Sequence, residues 1–258
     1  MDVVQEQLIQ AGIRFRQWMH DNIIHAARHF GLAITGPPRF GRQDRSIGAP
    51  VEKTLWLRVV SEEEQWAGDV LWTGNFAANA FTAVRKPYVL DVYEWEDWRR
   101  QRAELMTLMP GSPCSPAEAL RLPDEWWSDL RRTTDVIAAM PTDRVNTDQA
   151  EVAGRIHQHF GNLVDPAVQR WETAHGDLRW ANLMGPDFGL LDWKQWGRAP
   201  AGMDAATLLR DSLEVPEVAE RVREVFADVL KTDAGHLYAV ARQTMTAPPS
   251  TTSVSPVT

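Results

Sequence analysis

The residues with the clearest chemical potential lie in one short stretch, where His175, Asp177, Asn182 and Asp192 follow one another between apolar runs. Mg²⁺ is a hard cation that proteins usually hold through one or two carboxylates together with substrate phosphates. The types of these side chains and their spacing around one turn therefore indicate a site for Mg²⁺ and phosphate.

Phosphoryl transfer would give these residues distinct tasks, because it needs an anion that orients the attacking hydroxyl and metal ions that neutralise the phosphates. On a tight loop, Asp177 could accept a hydrogen bond from the acceptor hydroxyl. Asn182 could offer Mg²⁺ an amide oxygen and Asp192 a carboxylate, while His175 is expected to fix the loop by hydrogen bonding. Asp and Asn often only cap turns, but the four together, before an apolar strand ending in Asp-Trp, favour the site.

The elements around this stretch are predicted to be a loop followed by a β-hairpin, with strands at 183–184 and 190–191. Asp187, Phe188 and Gly189 spell a magnesium motif of protein kinases, but they fall in the turn of that hairpin. Asp187 follows Asn182 too closely in the chain for two paired strands to lie between these two residues. Asp192, at the end of the returning strand, is therefore the expected metal ligand.

The first part of the chain has mixed character. Residues 2–30 carry apolar side chains at helical spacing and predict a helix capped by Asp2. Alternating or apolar segments predict extended structure at 54–60, 88–95 and 102–109. Ser61 and Glu64 have the spacing of a capping box and predict a helix that begins directly after the first of these strands.

From residue 112 onward the patterns are mainly helical. Ser115 and Glu118 form a second capping box. Further helices are expected from Asp124 to Met140, around 152–160, and at 203–213, 216–230 and 233–245. Residues 247–258 lack pattern and are expected to be disordered. Strands with helices in one part and helices in the other predict an α+β fold.

Composition sets the remaining bounds. The chain has 258 residues, a net charge of −8 and one cysteine, Cys114. An acidic chain is a poor partner for nucleic acid, and a single cysteine favours a reducing compartment. Without a long apolar run or a signal sequence, we expect a cytoplasmic protein that binds neither nucleic acid nor membrane.

The motif of His175, Asp177, Asn182 and Asp192 resembles the catalytic core of the aminoglycoside phosphotransferase and choline kinase superfamily, whose members are small-molecule relatives of protein kinases. Residues 197–206 resemble the segment that follows the metal-binding Asp there. The resemblance implies that Asp177 is the catalytic base, that Asn182 and Asp192 bind Mg²⁺, and that Asp204 braces the catalytic loop.

The resemblance also implies a protein-kinase-like fold of two lobes, a small N-terminal sheet lobe and a larger, mostly helical C-terminal lobe. The expected division is an N-terminal helix at 1–31, a nucleotide-binding lobe at 36–110 with its hinge near 104–110, a catalytic lobe at 111–246, and the tail at 247–258. ATP or GTP would be the co-substrate. Met106 or Met109 in the hinge would pack on the base.

The N-terminal lobe departs from the family pattern. Kinase-like lobes carry a Lys on the third strand, paired with a helix Glu, to hold the phosphates. The matching strand here has Arg58, which either binds phosphate or is an exposed strand residue; Lys53 is a weaker substitute. The acidic partner could be Glu64 or Asp69. Gly41 and Gly48 also lack the spacing of a glycine-rich loop.

The acceptor is the least visible part. By their position near the catalytic loop of that family, the candidates for the acceptor site are Trp180, Trp193, Trp196, Asp211 and Glu214. Aromatic and acidic side chains suit a cationic acceptor such as an aminoglycoside or amino alcohol. The leading prediction is a kinase that phosphorylates a hydroxyl of a small molecule.

Two alternatives stay open. One is an inactive or weak kinase-like nucleotide-binding protein, suggested by Arg58 and the irregular glycine loop. The other is a metallohydrolase that uses His157, His159, His175 and Asp177 around a transition metal. His157 and His159 lie two residues apart on a predicted helix and so point to different sides.

Overall fold

The computed structural model describes residues 3–41, 44–68 and 70–231. These form two compact units, one made of Met1–Gly111 with Gly189–Lys194 and the other of Ser112–Phe188 with Gln195–Thr258. The predicted cap Asp2, the candidate partner Asp69, the helix at 233–245 and the tail lie outside the described residues.

The first unit is built on an antiparallel sheet of five strands in the order β1-β2-β3-β5-β4. The strands are β1 (Arg39–Phe40), β2 (Ser46–Val51), β3 (Leu55–Glu62), β4 (Val89–Glu96) and β5 (Arg100–Thr107). Helix α2 (Val70–Ala77) lies between β3 and β4 in the chain. The three predicted extended segments are confirmed.

A long first helix, α1 (Val3–His29), forms as its helical spacing predicts, and it packs on one face of this sheet. Met19, Ile23 and Ala26 of α1 pack with Leu57 and Val59 of β3 in a fully buried core. Because side chains alternate along a strand, the residues between them, such as Arg58, belong to the other face of the sheet.

The capping box predicted at Ser61 is wrong. Ser61 and Glu62 are the last residues of β3, where Ser61 pairs with Gln101 and Glu62 with Arg100 of β5. α2 begins only at Val70. The pairing with β5, which local spacing does not reveal, extends the strand through the residue that would have capped a helix.

The second unit is mostly helical. Its helices are α3 (Pro116–Ala119), α4 (Asp124–Ala138), α5 (Gln149–Phe160), α6 (Met203–Asp211), α7 (Pro216–Val225) and α8 (Ala227–Leu230). The capping box of Ser115 and Glu118 is confirmed. The helix expected over 216–230 is interrupted at Phe226, which joins α7 to α8.

Short strands hold the polar loop of the second unit. β7 (Trp171–Ala174) pairs antiparallel with β10 (Gly197–Pro200), and β6 (Ser112–Pro113) pairs with β8 (Leu183–Gly185). β9 (Gly189–Leu190) follows in the chain, so strands occur at both positions expected for the hairpin. The fold class is α+β. Among the described residues, no helix combines the length and the apolar character needed to span a bilayer.

Candidate active site

The polar loop begins at His175, directly after β7, and its backbone is held by the carboxylate of Asp204. The Asp204 carboxylate, on the first turn of α6, accepts hydrogen bonds from the backbone nitrogens of His175 at 2.6 Å and Gly176 at 3.0 Å. Both His175 and Asp204 are buried. A carboxylate that satisfies two successive amides fixes the loop backbone, since charge-assisted bonds of this kind are the stronger ones.

Gly176 gives the loop its tight turn. Its φ is +86°, in the left-handed region, and a Cβ there would lie 2.5 Å from Nδ2 of Asn146 and 2.6 Å from the carbonyl oxygen of Gln195. Asn146 itself donates to that carbonyl at 2.6 Å. The close packing therefore leaves room for glycine alone.

Asp177 and Asn182 lie together in this loop. Nδ2 of Asn182 donates to the carbonyl oxygen of Asp177 at 2.8 Å and to its carboxylate at 3.2 Å. Within the described residues, the amide oxygen of Asn182 accepts no hydrogen bond. The Asp177 side chain is 20% exposed. The amide oxygen of Asn182 is therefore available as an oxygen ligand of the kind that fits Mg²⁺, and the Asp177 carboxylate beside it is reachable.

Arg179 also belongs to this group, although sequence reasoning missed it. Its Nη1 lies 3.9 Å from Oδ1 of Asp177 and its Nε lies 3.7 Å from Oδ1 of Asp211. The buried Nε makes no hydrogen bond. Asp211 in turn accepts from the backbone nitrogen of Trp180 at 2.9 Å. A basic residue two positions after the expected base was the signal that could have found it.

The aromatic candidates for an acceptor surface are buried instead. Trp180 is 1% exposed, stacks on Trp126 at 5.9 Å and donates from Nε1 to Ser212. Trp193 and Trp196 are also buried. These three tryptophans serve as packing anchors, which corrects the expectation that they line a ligand site. Asp211 is half-buried and Glu214 is exposed.

Asp192 lies two residues after β9, in the first unit. Its φ of +58° is uncommon for a residue other than glycine, and its Oδ2 lies 3.0 Å from Nζ of Lys194. The backbone of Lys194 packs on α2 so closely that a Cβ on Gly74 would lie 2.3 Å from the Lys194 carbonyl oxygen. The segment that carries Asp192 is thus fixed against α2. Asp187 is exposed in the turn before β9.

Lys86 is buried beside the same segment. Its Nζ lies 3.9 Å from the ring centre of Tyr88 and 5.9 Å from that of Trp193, and it donates to the carbonyl oxygen of Pro87 at 3.1 Å. Among the described residues no carboxylate pairs with it. Burial lowers the pKa of Lys86 to about 8.

On the sheet, Arg58 pairs with Glu104 and not with Glu64; Asp69, the other expected partner, lies outside the described residues. Nη1 of Arg58 lies 2.9 Å from Oε2 of Glu104, which faces it directly in the pairing of β3 with β5. α2 contributes a neutral amide, because Nδ2 of Asn75 donates to the same oxygen at 2.8 Å. The partner was missed because strand pairing joins residues that are distant in sequence.

The expected hinge residues divide between strand and connection. Glu104 and Met106 lie within β5, where Met106 is buried and pairs with Trp56 of β3. Met109 follows the strand and is half-buried.

The described residues contain no group of three or more His, Cys, Asp or Glu side chains placed to hold a metal ion. His157 is exposed on α5, whereas His175 is fully buried under the loop. The structure therefore does not bring the four residues of the metallohydrolase alternative into one such group.

Comparison with known proteins finds similarity in structure alone. No protein-family model matches the sequence, and no curated protein matches it. The GDP complex of aminoglycoside 2'-phosphotransferase-IIIa matches with a TM-score of 0.62 and 14% identity, over 87% of each chain. An aminoglycoside-3'-phosphotransferase of type VIII matches with a TM-score of 0.58 and 18% identity, over 87% of this chain and 98% of that one.

An amicoumacin kinase in complex with AMP-PNP and Ca²⁺ matches with a TM-score of 0.59 and 12% identity, over 88% of this chain and 84% of that one. Matches of this extent show the fold. The chain has the protein-kinase-like fold of the aminoglycoside phosphotransferases, as the resemblance of its loop motif implies.

Proposed function

We propose that this protein is a small-molecule kinase that transfers the γ-phosphoryl group of ATP or GTP to a hydroxyl group of a small acceptor. The observation that carries the proposal is the loop geometry, in which Asp204 holds the backbone of His175 and Gly176 while Asn182 holds Asp177. In kinases of this fold, phosphoryl transfer takes place at the corresponding catalytic loop.

In this proposal Asp177 accepts the proton of the acceptor hydroxyl, and its hydrogen bond from Asn182 orients the carboxylate towards that task. Asn182 and Asp192 are the residues that would hold Mg²⁺, through an amide oxygen and a carboxylate. The ion, when bound, would neutralise charge on the phosphates. His175 and Asp204 support the loop and need not touch a substrate.

The nucleotide-binding residues in the proposal are Arg58, Met106 and Met109. Arg58 is 17% exposed at its side chain and therefore reachable, and a guanidinium can bind phosphate in a bidentate manner. Buried Met106 supports the base site from within β5, whereas half-buried Met109 has surface to offer to a purine.

Cationic aminoglycosides and amino alcohols are the first acceptors to test. The kinases of similar fold are described as acting on aminoglycosides or on amicoumacin. In this chain Asp211 and Glu214 are the accessible carboxylates among the candidate acceptor residues, and carboxylates attract ammonium groups.

The decisive experiment compares three asparagine variants in a phosphoryl-transfer assay with a panel of aminoglycosides and amino alcohols as acceptors. Asp177→Asn should lower kcat about 100-fold or more, because a general base contributes that much. Asp192→Asn should raise the Mg²⁺ concentration needed for half-maximal rate. Asp187→Asn is the matched control, since Asp187 is exposed in the neighbouring turn. An unchanged rate for Asp177→Asn would overturn the proposal.

A second candidate function is a kinase-like protein that binds nucleotide without transferring phosphate. It is favoured by the pairing of Arg58 with a strand glutamate, where kinase-like lobes use a helix glutamate. Mg²⁺-dependent nucleotide binding with no transfer to any member of the acceptor panel would support it.

A further inference from the structure

The pairing of Arg58 with Glu104 is the centre of a charged cluster on the face of the sheet opposite α1. Arg102, which is 6% exposed at its side chain, also reaches Glu104 with its Nε at 3.3 Å. Its Nη1 pairs with Glu94 of β4, which accepts a further bond from the indole nitrogen of Trp72. The cluster therefore joins three strands and α2.

Glu104 is a buried carboxylate whose position is fixed by its contacts. Its side chain is 1% exposed, and it accepts hydrogen bonds from Arg58, Asn75 and Arg102. A buried carboxylate is costly unless cations and hydrogen bonds compensate it, and here both oxygens are compensated. Rotation of Glu104 away from Arg58 would break this set, so the carboxylate holds the guanidinium in one place.

Arg58 has donors to spare. Within the described residues it makes its hydrogen bond to Glu104 through Nη1 alone, although a guanidinium carries five N–H donors. Its side chain is partly exposed, unlike that of Glu104. The remaining donors of a firmly held, accessible cation are suited to an anionic ligand, and phosphate oxygens match their fork geometry.

We propose that Glu104 positions Arg58 to bind the phosphates of the nucleotide, in place of the carboxylate that kinase-like folds carry on the helix after the third strand. The proposal rests on the proposed nucleotide-dependent function. Its consequence is that strand pairing sets the position of the phosphate-binding cation. α2 adds only the Asn75 amide to this set, so a shift of α2 would weaken the hold on the cation without releasing it.

The test separates phosphate binding from binding of the base. Calorimetry with Mg²⁺ should compare ADP with adenosine, and GDP with guanosine, for the wild type and Glu104→Gln. The variant keeps the shape of the side chain but removes its charge. It should bind the preferred diphosphate about tenfold more weakly, the loss expected for one weakened charged contact, and the nucleoside with unchanged affinity.

Glu94→Gln is the matched control, because it removes a carboxylate of the same cluster whose ion pairs among the described residues are with Arg100 and Arg102. It should leave both affinities unchanged. Asn75→Ala is the second variant in case Glu104→Gln does not fold, since Asn75 is only half-buried. It should weaken diphosphate binding about threefold and spare the nucleoside.

Equal losses for diphosphate and nucleoside, or no loss in any folded variant, would overturn the positioning role while leaving the kinase proposal intact. A wild-type protein that binds neither ADP nor GDP would instead contradict the proposed function, and the positioning role with it.

Discussion

The carboxylate of Asp204 lies 2.6 Å from the backbone nitrogen of His175 and bonds the next amide as well. The two residues are far apart in sequence, yet they fix the backbone just before Asp177. The position of the proposed base is thus set by a charge at the start of α6.

Asp204→Asn should lower the free energy of unfolding by about 2 kcal/mol. The asparagine side chain can accept only one of the two hydrogen bonds from the loop backbone and turns its own NH₂ group towards the other backbone N–H. Phosphoryl transfer should fall with it, since the loop loses its fixed geometry. Urea unfolding and an activity assay would measure the two effects. Asp143→Asn, at an exposed position, should change neither; equal stability of both variants would count against the bracing role.

Gly176→Ala should be destabilising by about 2 kcal/mol or more, because alanine disfavours a φ of +86° and its Cβ would meet Asn146 and the Gln195 carbonyl. Thermal unfolding would measure the loss. Gly154→Ala provides the opposite control. Gly154 lies inside α5 with nothing near its missing Cβ, so the change should stabilise the protein by about 0.5–1 kcal/mol. A stable, active Gly176→Ala protein would refute the packing argument.

Arg179→Ala should lower kcat about tenfold or more without unfolding the protein. The guanidinium is the cation nearest to Asp177 in the loop, and a preorganised charge beside the reacting groups contributes on this scale. Steady-state kinetics and circular dichroism would measure the two properties. Arg132→Ala, on the exposed side of α4, should match the wild type. If Arg179→Ala matched it as well, Arg179 would have no part in the reaction.

Lys86→Met should change how stability depends on pH. Burial lowers the pKa of Lys86 to about 8 in the folded protein, whereas an unfolded chain has a lysine pKa near 10.4. Between these values the unfolded wild type binds more protons than the folded one, so its stability should rise with pH relative to the variant, by up to about 3 kcal/mol.

Urea titrations of both proteins from pH 7 to pH 10 would measure that difference. Below pH 8 the wild type bears the full cost of the buried charge. Lys53→Met, at an exposed position, should follow the wild type throughout. A constant difference between wild type and Lys86→Met would show that Lys86 is not desolvated.

The loop could be predicted from sequence because its chemistry is local. Gly176 and the residues around it are close neighbours in the chain, and their types alone restrict what the turn can do. The fold class followed from periodicity and from that motif. The roles of Asp177, Asn182 and Asp192 remain predictions, and the asparagine variants test those of Asp177 and Asp192.

What could not be predicted depends on pairing between distant segments. Arg58 and Glu104 are 46 residues apart, and only the register of β3 against β5 brings them together. The same register extends β3 through Ser61, whose local spacing favours a helix cap. Trp180 is buried because α4 supplies Trp126 to cover it, which its position beside a polar loop does not disclose.

The packing of α1 sets a limit on how far the chain can be shortened. Its first turns expose Val4, Leu8 and Ile9, whereas Met19 and Ile23 fill the core against the sheet. Deletion of the first dozen residues would remove exposed apolar side chains and leave the core between α1 and the sheet intact. Deletion through residue 30 would expose the apolar face of the sheet to water, so a shortened chain that lacks this helix should be recovered only as aggregate.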